Sequence, residues 1–568
     1  METAASAPAQ SSADAAAPAA ASHSIEERAV PAYFLTLETK LEDPYPLYFI
    51  DGVDDLPYVE LQEWAEILGL LNTEFMEDED YELSWEGDDT LFTYTRDNGY
   101  SMQFDFSKDR IRFDDYNAFL HESAETTVVD LLSQKGSNKS DKPLLFQHDM
   151  KASFDRYGDE KVINLANYGI HLINDGDRYL VPMQTVNDLM LSGFLYNGEA
   201  LFFATDENLY DYRTGSWTSL AEEYYSAPAG ALSEALAAYS YGELCMILDN
   251  LYGLKGPHDI DSFAQTFWEI GFDEALSGTD AVEADDALHQ FINYYLDDQH
   301  SVMNEYSYLT GERMGKVDPG MSSKRLDAHS ETMLAARKKA YPDGMPGYEE
   351  VGNTAYISFD NFTSSYGNDE YFASKEANDY PEDTIGLIIY AHGQITRAGS
   401  PIKNVVLDLS NNTGGAADAA VFVISWFLGD ATFSVKDMST GAMSSAVYRA
   451  DVNLDGVFDE NDTVADKNLY CLISPVSFSC GNLVPAALKA SQKVSLLGKT
   501  SGGGSCVVQP LSTAYGSVFQ ISGARRMSFL KNGSFYDIDQ GVDPDYPIDK
   551  IENYYNRKLL TNYIGSLF

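Results

Sequence analysis

Residues 468–498 read NLYCLISPVSFSCGNLVPAALKASQKVSLLG. An apolar strand over NLYCLIS meets a short polar turn, the helix GNLVPAALKAS follows, and a second apolar strand, VSLLG, closes the unit. The same plan stands earlier, in strand IKNVVLDLS (402–410), turn NNTGG (411–415) and helix AADAAVFVISWFLG (416–429). Ahead of that come a strand in VGNTAYISFDNF (351–362) and a helix in PEDTIGLIIYAHGQITRAG (381–399). Strands alternating with helices predict βαβ units with right-handed crossovers, so residues 349–553 are expected to form an α/β core on a mainly parallel sheet.

The two strand-to-helix turns carry the chemistry. A serine at such a turn holds its hydroxyl at the sheet edge, beside the unpaired N–H groups that open the next helix. Ser479 is in that position. This arrangement suits acyl transfer, with Oγ attacking a carbonyl and helix-end donors holding the oxyanion. The N–H of Cys480 is one expected donor, and Gly414 and Gly415 let the other turn approach a substrate closely. The bland alternative for Ser479 is a helix N-cap. Cys480 as the nucleophile, with Ser479 a bystander, is a second alternative.

The pieces occur in a telling order: Asp408-Leu409-Ser410-Asn411-Asn412-Thr413-Gly414-Gly415, then Ser479-Cys480-Gly481-Asn482, then Gly498-Lys499-Thr500-Ser501-Gly502-Gly503, then Gly541-Val542-Asp543-Pro544-Asp545. Over about 200 residues this order resembles the S41 family of serine peptidases, which includes the C-terminal processing proteases, the tricorn core protease and the interphotoreceptor retinoid-binding repeats. The resemblance implies a ClpP/crotonase-like core and a serine-type hydrolase. It also exposes a departure. Where the processing proteases place an activating lysine, this chain has Gly504. The tricorn-like branch uses a histidine ahead of the core, and LDDQHS (296–301) supplies His300 there. A group titrating near neutrality can take the Oγ proton and return it to the leaving amine. The alternative for His300 is a histidine satisfying helix-end carbonyls. The acid that fixes the base is expected among Asp537, Asp539 and Asp543, with Asp539 favoured, and Ser301 has no clear role. No cofactor is expected for catalysis.

Three further features stand apart. Cys480 and Cys506 flank the site and read either as a disulfide or as two free buried thiols; with Cys245 and Cys471 they make four cysteines, in no zinc spacing. ADVNLDGVFDENDTV matches a twelve-residue calcium loop at Asp451, Asn453, Asp455, Gly456, Val457, Asp459 and Asp462, so a structural Ca²⁺ is expected in an insertion between core strands. Arg525 and Arg526 lie on an expected strand near the site, either meeting a peptide carboxylate or making structural ion pairs.

The rest of the chain sets the frame. Residues 1–29 are rich in Ala, Ser and Pro and read as a flexible tether. Residues 30–227 read as α+β modules with a weak internal duplication between YPLYFIDGVDDLPYVELQEWAEILGL (45–70) and YGIHLINDGDRYLVPMQTVNDLMLSG (168–193). The first copy weakly resembles the N-terminal domain of copper amine oxidases, with no copper implied. Residues 228–348 form a helical segment carrying His300, and 554–568 a C-terminal tail. The 568 residues carry 89 acids against 37 bases, net −52. Such a surface disfavours nucleic acid and anionic membranes, and no apolar run is long enough for membrane insertion. The expected setting is extracellular or on the cell surface, the tether being the spacer after an export signal. A cytosolic protein with a disordered N-terminus is the alternative. The expected partner is a peptide or protein substrate, with the number of copies left open. The expected function is a serine-type peptidase acting on extended peptides or protein tails. The alternatives are an inactive ligand- or peptide-binding surface protein on the same fold and a calcium-stabilised adhesin.

Overall fold

The computed structural model describes residues 23–34, 39–70, 73, 81–121, 144–150, 154–191, 201–204, 209–210, 230–310, 313, 315–364, 368–377 and 379–567. The first 22 residues of the expected tether lie outside these. Its last part does not stay loose: Ile25–Val30 is a strand, pairing antiparallel with Tyr45–Ile50. The tether reading therefore ends too late, because this stretch finds a ladder partner in the strand Tyr45–Ile50 and buries Val30.

The parallel sheet is present as the sequence implies. Its order is Tyr348–Val351, Thr354–Ser358, Asn404–Asp408, Asn468–Ile473, Val494–Gly498 and Tyr546–Pro547, parallel throughout except for the first hairpin. The central strand Asn404–Asp408 is buried at every position, as a sheet covered by helices on both faces requires. Ala417–Leu428 and Cys480–Ala490 follow the two central strands and pack against each other.

A second sheet was not legible in the sequence. Ala431–Asp437 and Met443–Ala450, on either side of a turn in the expected insertion, pair with each other, and the first also pairs with the long strand Val518–Lys531. Cys506–Ser512 and Val302–Glu305 flank that long strand, and Phe146–Met150 joins the far edge. Strands from four distant parts of the chain thus form one antiparallel unit. Pairing over such separations leaves no local mark.

In the N-terminal region the two similar stretches meet in one sheet. Pro57–Glu60 pairs antiparallel with Tyr179–Pro182, Val59 opposite Val181, and each strand runs into a helix, Leu61–Leu70 or Met183–Met190. A separate antiparallel meander runs from Leu83–Gly87 to Arg110–Phe113. The boundaries drawn at 227 and 348 do not separate cores. One apolar cluster runs from Val30 through the helices Glu234–Leu251 and Ala281–Gln290 to Tyr306, and takes in Cys506, Leu511, Phe519 and Ile521.

The C-terminal stretch is not a tail. Arg557–Ile564 is a helix whose Arg557 guanidinium lies 2.7 Å from Asp408, with both side chains 3% exposed. Asp408 uses its other oxygen to accept from Ser410 N and Oγ. The last helix therefore locks the start of the first strand-to-helix turn.

Candidate active site

The two turns interlock through backbone. Phe478 N donates to Asn412 O, and Ser474 and Ser477 spend their hydroxyls on the carbonyls of Ser410 and Leu409. Three serines stand in SPVSFS, and only Ser479 keeps its hydroxyl without a hydrogen bond among the described residues. Its backbone is left-handed, φ 54° and ψ −123°, immediately before the helix Cys480–Ala490. A non-glycine residue there is strained, and the surrounding bonds must hold it. They do: Ser479 N donates to Gly503 O, and Ser479 O accepts from Asn482 and Leu483.

Of the three N–H groups expected to be free, one is already bonded. Gly414 N already donates to Asn412 Oδ1 at 2.9 Å. The role of Gly414 is close approach instead, since a Cβ there would sit 2.7 Å from that of Ser479. The N–H groups of Gly415 and Cys480 donate to no partner among the described residues. Gly415 has φ +126°, and a Cβ would meet Phe362 O at 2.1 Å, so only glycine fits.

His300 is brought to this turn by the second sheet. A π-helical turn, Phe291–Tyr295, ends the preceding helix, and Val302–Glu305 then pairs with the long strand. Gln520 donates to His300 O, and Ser522 N donates to Ser301 Oγ, which fixes the His300–Ser301 step onto that strand. His300 and Ser479 line the same cavity of about 50 Å³, with Cys480, Gly504, Cys506 and Met527 also lining it. Among the described residues no hydrogen bond joins the imidazole to Ser479 Oγ. Burial holds the imidazole below its ordinary value, opposed first by Asp298 and then by Asp539. At neutral pH the ring is therefore the free base, the form that can accept a proton.

Asp298 is the residue that the sequence reading passed over. It sits two positions before His300, accepts from His300 N and from Ser301 Oγ at 2.6 Å, and faces the imidazole more strongly than Asp539 does. Its place in LDDQHS was the available signal. Asp539 is nearby but holds the glycine loop, accepting from Ser505 N and Oγ. Asp537 pairs with Arg526, and Asp543 accepts from Thr500. Ser301 has a part after all, as the hydroxyl between Asp298 and Ser522.

Gly504 explains the missing lysine physically. It has φ +83°, and a Cβ would lie 2.5 Å from the Phe478 ring. That ring packs on His300, centroids 4.6 Å apart. The space above Gly504 is thus filled by the aromatic side chain that supports His300.

The cysteines are four free buried thiols, so the pair Cys480 and Cys506 is not a disulfide. Cys480 Sγ donates to Gly415 O, and burial pushes its thiol up to about 12, which leaves almost no thiolate for a nucleophilic role. Arg526 is buried against Asp537 and Gly253 O and so serves the scaffold, while Arg525 stands opposite Asp437 in the strand register.

Residues 353–548 match the family model of peptidase family S41. The S41 resemblance seen in the ordered turns thus extends over the parallel sheet apart from its edge strand Tyr348–Val351, and includes Ser479, Gly415, Gly504 and Asp539; His300 and Asp298 stand outside it. Over 172 residues the chain is 26% identical to a probable CtpA-like serine protease of Staphylococcus aureus, in strains N315 and Mu50 / ATCC 700699, covering 30% of this chain and 32% of that protein. The match therefore spans about a third of those relatives. Among solved structures, a putative peptidase from Parabacteroides merdae ATCC 43184 aligns at 15% identity, covering 59% of this chain and 97% of that one, with TM-score 0.42. Mature CPAF complexed with lactacystin aligns at 10% identity over 59% and 97%, with TM-score 0.36. The tricorn protease aligns at 14% identity over 43% and 19%, with TM-score 0.23. At these scores the structural likenesses carry no argument.

The 451–462 stretch folds as a loop tied by its own acids. Asp451 accepts from Asp455 N and Gly456 N, Asp462 accepts from Val452, Asn453 and Asp459, and Asn453 Oδ1 is buried without a partner. Burial, with Asp462 and Asp455 adding repulsion, pushes Asp451 up to about 6. Among the described residues no three His, Cys, Asp or Glu side chains converge as a metal cage. Asp455 and Asp459 turn their Oδ1 atoms to Val457 N and Asn461 N, and the Val457 side chain is exposed.

Proposed function

We propose that this chain is a serine-type peptidase that hydrolyses extended peptides or protein tails. Ser479 Oγ attacks the scissile carbonyl, and His300 takes its proton and delivers it to the leaving amine. The N–H groups of Gly415 and Cys480 receive the oxyanion. Asp298 stabilises the imidazolium that forms, with Asp539 a weaker second. The observation that carries this reading is the shared cavity, in which an unbonded serine hydroxyl on a strained turn meets a histidine kept neutral by burial.

A fluorophosphonate probe tests it. Wild type is expected to label at Ser479, with labelling lost in Ser479→Ala and reduced at least a hundredfold in His300→Ala. Unlabelled wild type, or equal labelling of Ser479→Ala, overturns the enzyme reading. The reading of an inactive binding protein draws on the absence, among the described residues, of a bond between His300 and Ser479, and it expects no labelling. We also propose a structural Ca²⁺ at the 451–462 loop, held by Asp451, Asn453, Asp455, the Val457 carbonyl, Asp459 and Asp462, and an exported location suited to the acidic surface.

A further inference from the structure

A cavity of about 550 Å³ lies beside the first strand-to-helix turn and has no part in the chemistry above. Phe359 and Asn361 line it, on the segment that leaves the C-terminal end of the strand Thr354–Ser358. Ligands of parallel sheets gather at that end of the strands. The same segment is bonded to the oxyanion turn. Thr413 Oγ1 donates to Asn361 Oδ1 at 2.8 Å, Phe362 N donates to Gly414 O at 2.7 Å, and Ala416 N donates to Phe362 O at 2.8 Å. One short stretch of chain therefore separates the cavity from the N–H of Gly415.

The remaining lining has a consistent chemistry. Tyr380 and Tyr390 present two aromatic rings, centroids 6.5 Å apart and tilted 58°, and Tyr390 is 40% exposed. Asp379 and Glu382, both exposed, also line the cavity, and neither makes an ion pair among the described residues. Among the described residues no lysine or arginine lines it. Aromatic faces with carboxylates at hand fit a cation carried on an apolar stem, whose methylenes cover the rings while its head meets the acids. A phosphate or carboxylate is repelled by these acids.

We propose that this cavity is the subsite for a lysine or arginine side chain of an extended peptide, so that a basic residue at a fixed distance from the scissile bond is favoured. The proposal rests on the peptidase reading of Ser479 for its place in catalysis, but side-chain binding can be measured without turnover.

The probes are fluorescein-labelled Ala/Ser nonapeptides with one lysine walked along the chain, and a matched set with norleucine. Binding is followed by fluorescence anisotropy on full-length Ser479→Ala. At one position lysine is expected to bind about tenfold more tightly than norleucine. That ratio falls to near one in Asp379→Asn/Glu382→Gln and in Tyr390→Ala. It survives in Asp177→Asn/Glu283→Gln, which removes the same charge from remote exposed sites and controls for the net −52. A ratio near one in Ser479→Ala, or one unchanged by the cavity variants, overturns the subsite. Hydrolysis of the same peptides by the wild-type chain is read separately. Discrimination in binding without any cleavage leaves the subsite standing and removes the peptidase reading.

Discussion

Gly504→Ala puts a small perturbation where the base is supported. The new Cβ would stand 2.5 and 2.6 Å from Cε2 and Cζ of Phe478. Carbon atoms in contact settle at about 3.5–4.0 Å, so the ring must give by roughly 1 Å. That ring packs on His300 with 4.6 Å between centroids, and the imidazole must follow. A displacement of about 1 Å at a catalytic group costs about a hundredfold. The left-handed backbone, φ +83°, adds a separate penalty of about 1–2 kcal/mol for alanine. The two effects can be separated in a double-mutant cycle with Phe478→Leu, which removes the ring edge but not the backbone strain. The rate of Ser479 labelling by a fluorophosphonate is expected to fall about a hundredfold on Gly504→Ala when residue 478 is Phe, and less than threefold when it is Leu. The loss of Tm due to Gly504→Ala persists in both backgrounds. Equal rate losses in the two backgrounds, or none in either, would show that Phe478 does not transmit position to His300.

Three further outcomes follow from the same geometry. Because burial lowers the His300 pKa, labelling is expected to rise with pH through a midpoint below the ordinary 6.5. Asp298→Asn removes the larger opposing charge, so the midpoint moves further down while the plateau falls tenfold or more; an upward shift contradicts the assignment. Asp408→Ala leaves the Arg557 guanidinium buried without its carboxylate and is expected to cost about 3–5 kcal/mol in denaturant unfolding, whereas Asp408→Leu/Arg557→Met costs less. Chelation of calcium should lower the Tm of wild type but not of Asp451→Asn/Asp462→Asn, since an ion at a hundred times its dissociation constant adds about 2.7 kcal/mol; a wild-type Tm indifferent to chelator rules out the site.

The parallel sheet, its order of turns and the position of Ser479 could be read from the sequence because each depends on local pattern. An apolar strand, a glycine or serine turn and an amphipathic helix leave their periods and their punctuation in the chain. The departure at Gly504 was equally visible. What made it intelligible was the Phe478 ring above it, a contact across 26 residues of sequence that no spacing rule records.

The sequence by itself determined the strand-to-helix turns, the nucleophile candidate and the histidine candidate, since backbone preference and residue chemistry act over a few positions. Only the tertiary structure decided which serine of SPVSFS stays free, that Gly415 rather than Gly414 keeps its N–H, and that the charge of Asp298 acts on His300 more than that of Asp539. It also decided that the C-terminal helix is a lock on Asp408. Each of these depends on which of several equivalent groups finds a partner from a distant segment, and that competition is settled only when the sheets assemble.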